Sequence, residues 1–261
     1  MAVKGAVLGD ILGAQYEFSR PYFLDWEKVP LIATSHAGFT DDTVMTLAVK
    51  KALLEEKDLV QTMVSVGRRY PYCGYGSRFY SWIHTDDHAP YSSWGNGSAM
   101  RVSFVGEYYD DYEEMQRKAA ETAAVSHNHP EGIKGAVVTA ACIWMAKHGK
   151  TKQDIYDYVL AQYPADHYPY SIDHSLAELR TYYQWTEKCS DTVAPAMRCF
   201  IESTDYESFI RNIYSLRCDS DTFGAVAGGV AEEYYHGFGN IDADSILREY
   251  LTDDLWSILM E

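Results

Sequence analysis

Gly5, Gly9 and Gly13 fall four residues apart in an otherwise apolar opening segment. At helical pitch that spacing puts all three on one face. Glycine destabilises a helix interior by about 1 kcal/mol relative to Ala. A row of it therefore predicts a neighbouring backbone packed close against that face. The first helix is read over Met1–Gly13, with Glu17 just past its end.

Helical period recurs along the rest of the chain. Asp41 to about Glu56 is apolar over a wide arc and reads as a largely buried helix. Further helices are predicted over 59–69, 112–125, 133–147, 152–160, 175–185, 193–202, 206–216, 222–236 and 242–259. Residues 18–38 read as irregular, and 72–99 as a long loop rich in Gly, Ser and aromatics. No period-2 alternation or strand-flanked hairpin turn interrupts this pattern. The expected fold is all-α, a compact multi-helix domain over residues 1–261 with no linker-like break.

A formal net charge of −16 argues against nucleic-acid backbones and anionic membrane surfaces as partners. No stretch approaches the roughly 18 apolar residues of a membrane span. Asp10 interrupts the apolar opening, which fails as a signal peptide. The five cysteines are scattered and never spaced C-x-x-C, so reduced thiols in a cytoplasmic protein are expected. A monomer is expected.

Two acidic clusters open buried helices. Thr40-Asp41-Asp42 precedes Val44, Met45 and Leu47; Asp219-Ser220-Asp221-Thr222 precedes Phe223, Ala225 and Val226. Thr and Asp are favoured helix caps, and each cluster reads as capping when taken alone. Two clusters at two buried helix ends also suit a hard cation such as Mg²⁺ or Mn²⁺, because four converging carboxylates repel one another without one. The spacing alone leaves both readings open.

Gly95-Asn96-Gly97-Ser98 reads either as a turn needing positive φ or as a loop whose backbone approaches a phosphate. His127 and His129 flank Asn128 ahead of Pro130, without the i, i+4 spacing of a helical zinc pair. Glu17 alone reads as a solvated side chain. The 22 tyrosines read mainly as core edge and surface.

Taken in order, these blocks resemble the ADP-ribosylglycohydrolase family. The resemblance runs from Gly9-Asp10-Ile11-Leu12-Gly13 through Thr40-Asp41-Asp42-Thr43, then Gly95-Asn96-Gly97-Ser98-Ala99-Met100-Arg101. It continues with His127-Asn128-His129-Pro130-Glu131-Gly132, Phe200-Ile201-Glu202-Ser203 and Asp219-Ser220-Asp221-Thr222. It implies packed helices around a binuclear centre of two Mg²⁺ or Mn²⁺ ions. Thr40, Asp41 and Asp42 are implied as ligands of one ion, Asp219 and Thr222 of the other, with Asp221 bridging. Glu17 matches a glutamate on a mobile flap near the metals and is implied as a further metal ligand. Ser93, Trp94, Gly95, Asn96 and Gly97 match the loop that holds the ADP-ribose phosphates and distal ribose, and His127 a ligand-contacting histidine.

The implied activity is metal-dependent hydrolysis of the bond between the distal ribose of ADP-ribose and an acceptor. Glu17, Asp41 and Asp42 are the expected acid–base and water-steering groups, and ADP-ribose or an ADP-ribosylated target the expected partner. The alternatives are an inactive ADP-ribose-binding relative and a binuclear metallohydrolase acting on another nucleotide or glycoside. The chain departs from the family pattern at Arg217-Cys218, where many relatives have Gly-Gly, at Trp94, where Tyr is common, and at Pro195, one place late.

Overall fold

The computed structural model describes residues 2–261, so the predicted start of the first helix at Met1 lies outside the described residues. Among them there are fourteen α-helices, one 3₁₀ turn and no strand. Two helices from opposite ends of the chain form the centre. Helix α1 (Ala2–Glu17) packs antiparallel to Ser220–Tyr235, the twelfth helix in order. The glycine row sets their register. A Cβ on Gly5 would lie 2.3 Å from the Gly228 carbonyl oxygen, one on Gly9 2.3 Å from that of Gly224, and one on Gly13 2.2 Å from that of Ser220. The predicted close backbone is therefore this late helix.

The other helices wrap that pair. In chain order they are α2 (Asp41–Leu54), α3 (Leu59–Gly67), α4 (Ser77–His84), α5 (Ser103–Tyr108), α6 (Tyr112–Ala124) and α7 (Pro130–Lys147). They continue with α8 (Lys152–Gln162), α9 (Leu176–Tyr182), α10 (Cys189–Ile201), α11 (Tyr206–Tyr214), the central α12 (Ser220–Tyr235), α13 (Ala243–Tyr250) and α14 (Asp253–Met260). Leu8, Ile11, Leu12, Phe200, Phe209 and Phe223 are fully buried between them. Each such side chain stabilises the fold by about 1.5–3 kcal/mol.

Several elements differ from the sequence reading, which predicts no helix where α5 (Ser103–Tyr108) stands. Helix α1 runs on to Glu17, so that residue closes the helix. The expected loop over 72–99 contains α4, because Phe79, Trp82 and Ile83 bury at i, i+3 and i+4. Residues 242–259 hold two helices that part at Leu251, whose extended backbone turns the chain before Thr252. Helix α10 begins at Cys189 and carries Pro195 inside it. A proline there removes the hydrogen bond to the Asp191 carbonyl. The Tyr183 hydroxyl donates to that carbonyl instead, at 2.9 Å.

The five cysteines are free thiols. Among the described residues no helix is long and apolar enough to cross a membrane. Tyr163, Tyr206 and Tyr214 are fully buried, deeper than core edge.

Candidate active site

The C-terminus of α1 and the N-termini of α2 and α12 open onto one cleft of about 900 Å³. Its lining includes Glu17, Thr40, Asp41, Asp42, Asp219, Asp221 and Thr222, so residues about 180 apart in sequence share one wall. Ser93, Trp94, Gly95, Asn96, Gly97 and His127 line it too.

Asp10 builds the first half, although the sequence reading assigned it no role. It is fully buried in α1. Its carboxylate accepts from the Thr40 and Thr43 backbone N–H groups, both at 3.0 Å, and from both hydroxyls. Burial and then Asp221 push its pKa up to about 7, against the pull of those hydrogen bonds. The readable signal was an acidic residue inside an apolar helical run, which needs buried partners. Thr40 does cap α2, accepting from the Asp42 N–H, and the Asp41 N–H donates to the Cys73 carbonyl at 2.7 Å.

The second half is less like a cap. Asp219 stands at the cap position of α12 but makes no capping hydrogen bond. It accepts instead from the Asn96 side-chain amide at 2.7 Å. The Ser220 hydroxyl donates to the Gly13 carbonyl at 2.7 Å, tying this helix end to α1. Glu17, Asp219 and Asp221 each bring an oxygen to within 4.8 Å of the others. Asp41 and Asp42 line the same cleft outside that tight trio.

Burial, then Asp221, drives the carboxyl groups of Glu17, Asp41, Asp42 and Asp219 upward, Glu17 to about 9. No ion pair to Glu17, Asp41, Asp42, Asp219 or Asp221 occurs among the described residues. The Asp42 Oδ1 atom is buried with no hydrogen-bond partner. An orphaned carboxylate oxygen beside a crowded, all-oxygen donor set is what a hard divalent cation requires. The residues present fit such an ion.

The glycine loop is pinned from behind. The Asn96 N–H donates to the Glu187 carbonyl at 2.8 Å, and the Cys189 N–H to the Trp94 carbonyl at 3.0 Å. The Ser93 hydroxyl accepts from the Gly95 N–H at 3.2 Å. A Cβ on Gly97 would lie 3.0 Å from His127 Nε2, so the glycine keeps the imidazole clear. Neither Gly95 nor Gly97 has positive φ; Ser92 does, at 55°. Close approach accounts for Gly97, whereas a Cβ on Gly95 would meet only ordinary contacts, from 3.4 Å outward. Burial, then Arg101 and Arg78, holds the His127 pKa well below its usual value. His129 has the plainer role, capping α7 through its ring nitrogen.

The ADP-ribosylglycohydrolase family profile matches residues 1–258. The chain belongs to the ADP-ribosylglycohydrolase family. Among curated relatives, ADP-ribosylhydrolase ARH3 of Bos taurus is 25% identical over 245 residues, covering 82% of this chain and 62% of its own length. The Homo sapiens ADP-ribosylhydrolase ARH3 is 24% identical, with the same coverage. The chain thus spans under two thirds of these relatives. A solved chain described as an ADP-ribosylglycohydrolase-related protein complex superposes with TM-score 0.73 at 24% identity. It covers 98% of this chain and 93% of its own, a likeness of fold.

In this glycohydrolase family member, the Arg217-Cys218 departure lies behind the site. Neither residue lines the cleft. Arg217 donates to the Tyr22 carbonyl at 3.0 Å and Cys218 is buried. Arg78, Phe79, Trp185 and Glu187 also line the cleft. Phe79 lies on the buried face of α4, and Trp185 lies past Tyr182, where the helix predicted over 175–185 stops; neither feature points to a cleft, so only the fold brings these residues there.

Proposed function

We propose that the chain is a metal-dependent hydrolase that cleaves the bond between the distal ribose C1″ of ADP-ribose and an acceptor, freeing ADP-ribose from a modified protein or other target. The observation that carries this reading is the meeting of Glu17, Asp219 and Asp221 in a cleft also lined by the Gly95-Asn96-Gly97 loop. Family membership and relatives named ADP-ribosylhydrolases support it. The joining of both chain ends in one site supports treating residues 1–261 as one domain.

Thr40, Asp41 and Asp42 would hold one divalent ion, Mg²⁺ or Mn²⁺, and Asp219 and Thr222 the other, with Asp221 shared. Bound, such a pair supplies Lewis acidity toward ribose hydroxyls and a water molecule. The chain's own groups do the rest. The glycine loop and His127 hold phosphate and ribose, and Asn96 is oriented by its bond to Asp219. Glu17, at the end of α1, positions the reacting sugar or exchanges a proton with it. Asp41 and Asp42 steer the attacking water.

The test is a panel of ADP-ribosyl-arginine, ADP-ribosyl-serine and free nucleotides, with Mg²⁺, with Mn²⁺ and with EDTA. Release of ADP-ribose from at least one conjugate, abolished by EDTA, is expected. Release from none would leave a binding protein on this fold. Turnover of free nucleotides alone would move the activity to another substrate class.

A further inference from the structure

Arg101 is fully buried, yet no carboxylate pairs with it among the described residues. Its Nη2 donates to the Thr122 carbonyl at 3.1 Å and to the Ser126 hydroxyl at 2.9 Å, while Nε and Nη1 have no partner. Its guanidinium lies over the Phe79 ring, 5.5 Å from the centroid. Burial lowers its pKa only to about 10, so it stays charged at neutral pH. Ser126 Oγ stands 2.8 Å from His127 Nδ1, and both residues are buried. The far nitrogen of that ring, Nε2, faces Gly97 and has no hydrogen-bond partner among the described residues.

Donor counting fixes the direction of this chain. A guanidinium has donors and no acceptor. Ser126 Oγ must therefore accept from Arg101, which leaves the single hydroxyl hydrogen for His127 Nδ1. The reverse arrangement, Nδ1–H donating to Oγ, would leave the buried serine hydrogen without an acceptor. We propose that Arg101 and Ser126 are positioning residues that lock His127 in the Nε2–H tautomer, so that it offers a donor to a ligand oxygen beside Gly97. The depressed pKa of His127 agrees, since a neutral ring has only one proton to place. The ligand half of this inference rests on the proposed function, and the tautomer half does not.

Nitrogen-15 spectra of histidine-labelled protein read the tautomer directly, with His127→Gln assigning the signals. In the free wild-type protein, Nδ1 should be pyridine-like and Nε2 pyrrole-like. In folded Ser126→Ala the two nitrogens should move toward each other as the lock is lost. ADP-ribose affinity should fall only by the fraction of wrong tautomer, roughly twofold for an even mixture. Added ADP-ribose should leave wild-type Nε2 protonated and shift its proton downfield. A pyrrole-like Nδ1 in the wild type, or a Ser126→Ala spectrum matching it, would overturn the lock. An Nε2 that turns pyridine-like on binding would overturn the donor role. A wild-type protein that binds no ADP-ribose defeats the proposed function and the ligand half together, while the free-state tautomer still decides the lock.

Discussion

Gly9→Ala separates two forces that point in opposite directions. Helix propensity alone favours alanine by about 1 kcal/mol. The α1–α12 contact opposes it. The new Cβ would sit 2.3 Å from the Gly224 carbonyl oxygen and 2.5 Å from its carbon, all backbone. No side chain can swing away, so the helices must part by about 1 Å to reach ordinary contact distance. Overpacking of this kind costs about 1–3 kcal/mol, and a backbone obstacle belongs at the upper end. The net loss should be about 2 kcal/mol, or a Tm lower by roughly 4–8 °C. The displacement also reaches the site, because Glu17 rides on α1 and Asp219 and Asp221 on the start of α12. A misplacement of about 1 Å can cost about 10²-fold in rate. Thermal and urea unfolding measure the first effect and initial rates the second. Gly38→Ala is the control, since nothing lies within 4 Å of a Cβ there. A Gly9→Ala protein as stable as wild type would refute the close-packing argument.

Saturating Mg²⁺ or Mn²⁺, at about 100 times Kd, should stabilise the fold by roughly 2.7 kcal/mol per ion and raise Tm by roughly 5–11 °C; a Tm indifferent to both ions would refute the metal reading of the acidic clusters. In EDTA, Asp219→Asn should be as stable as wild type or more so, because it relieves a crowded cluster, yet calorimetry should find its metal affinity largely lost. Metal-free stability should also depend on pH through Glu17, whose folded pKa of about 9 exceeds its ordinary 4.5. The folded state then holds the extra proton, so Glu17 costs nothing below about 4.5 and progressively more up to about 9. The Tm of wild type minus that of Glu17→Gln in EDTA should therefore fall as pH rises across that window, and a rising difference would reverse the assignment. Gly97→Val should drive a methyl group against His127 and raise KM for an ADP-ribosyl substrate while the helical circular dichroism stays intact; unchanged kinetics would make the loop only a turn.

What was legible in the sequence follows from where the information is local. The α2 and α12 helices carry apolar period and acidic starts within a few residues, so their candidate site residues were readable by position. The glycine row announced a close neighbour but not which one, because glycine marks an approach without naming the partner. Helix α4 was missed because Gly74, Gly76 and many aromatics hide a short apolar face. The carbonyl that Pro195 frees inside α10 accepts from Tyr183, a donor from outside the helix that no local rule contains. Arg101 reads as an ordinary basic residue until the fold buries it against Thr122, Ser126 and Phe79. The cleft wall from Trp185 to Glu187 is assembled by tertiary contact beyond Tyr182, where the helix predicted over 175–185 stops short.

Helix α1 joins these pieces into one mechanical unit. One face carries Gly5, Gly9 and Gly13 and sets its distance to α12. Asp10, adjoining that face, holds Thr40 and Thr43 and thereby the start of α2. Its last residue is Glu17, which enters the cleft between the two acidic helix starts. A single rigid helix therefore controls the spacing of both carboxylate clusters and the reach of the glutamate between them. Burying Asp10 is expensive, and its pKa of about 7 records that strain. The expense is consistent with a positional role, because an apolar residue there would bury at no such cost but could not grip two threonines. A change that slides α1 along α12 moves Glu17, Thr40 and Asp42 together relative to Asp219 and Asp221. The glycines are thus part of the site although none of them touches the cleft.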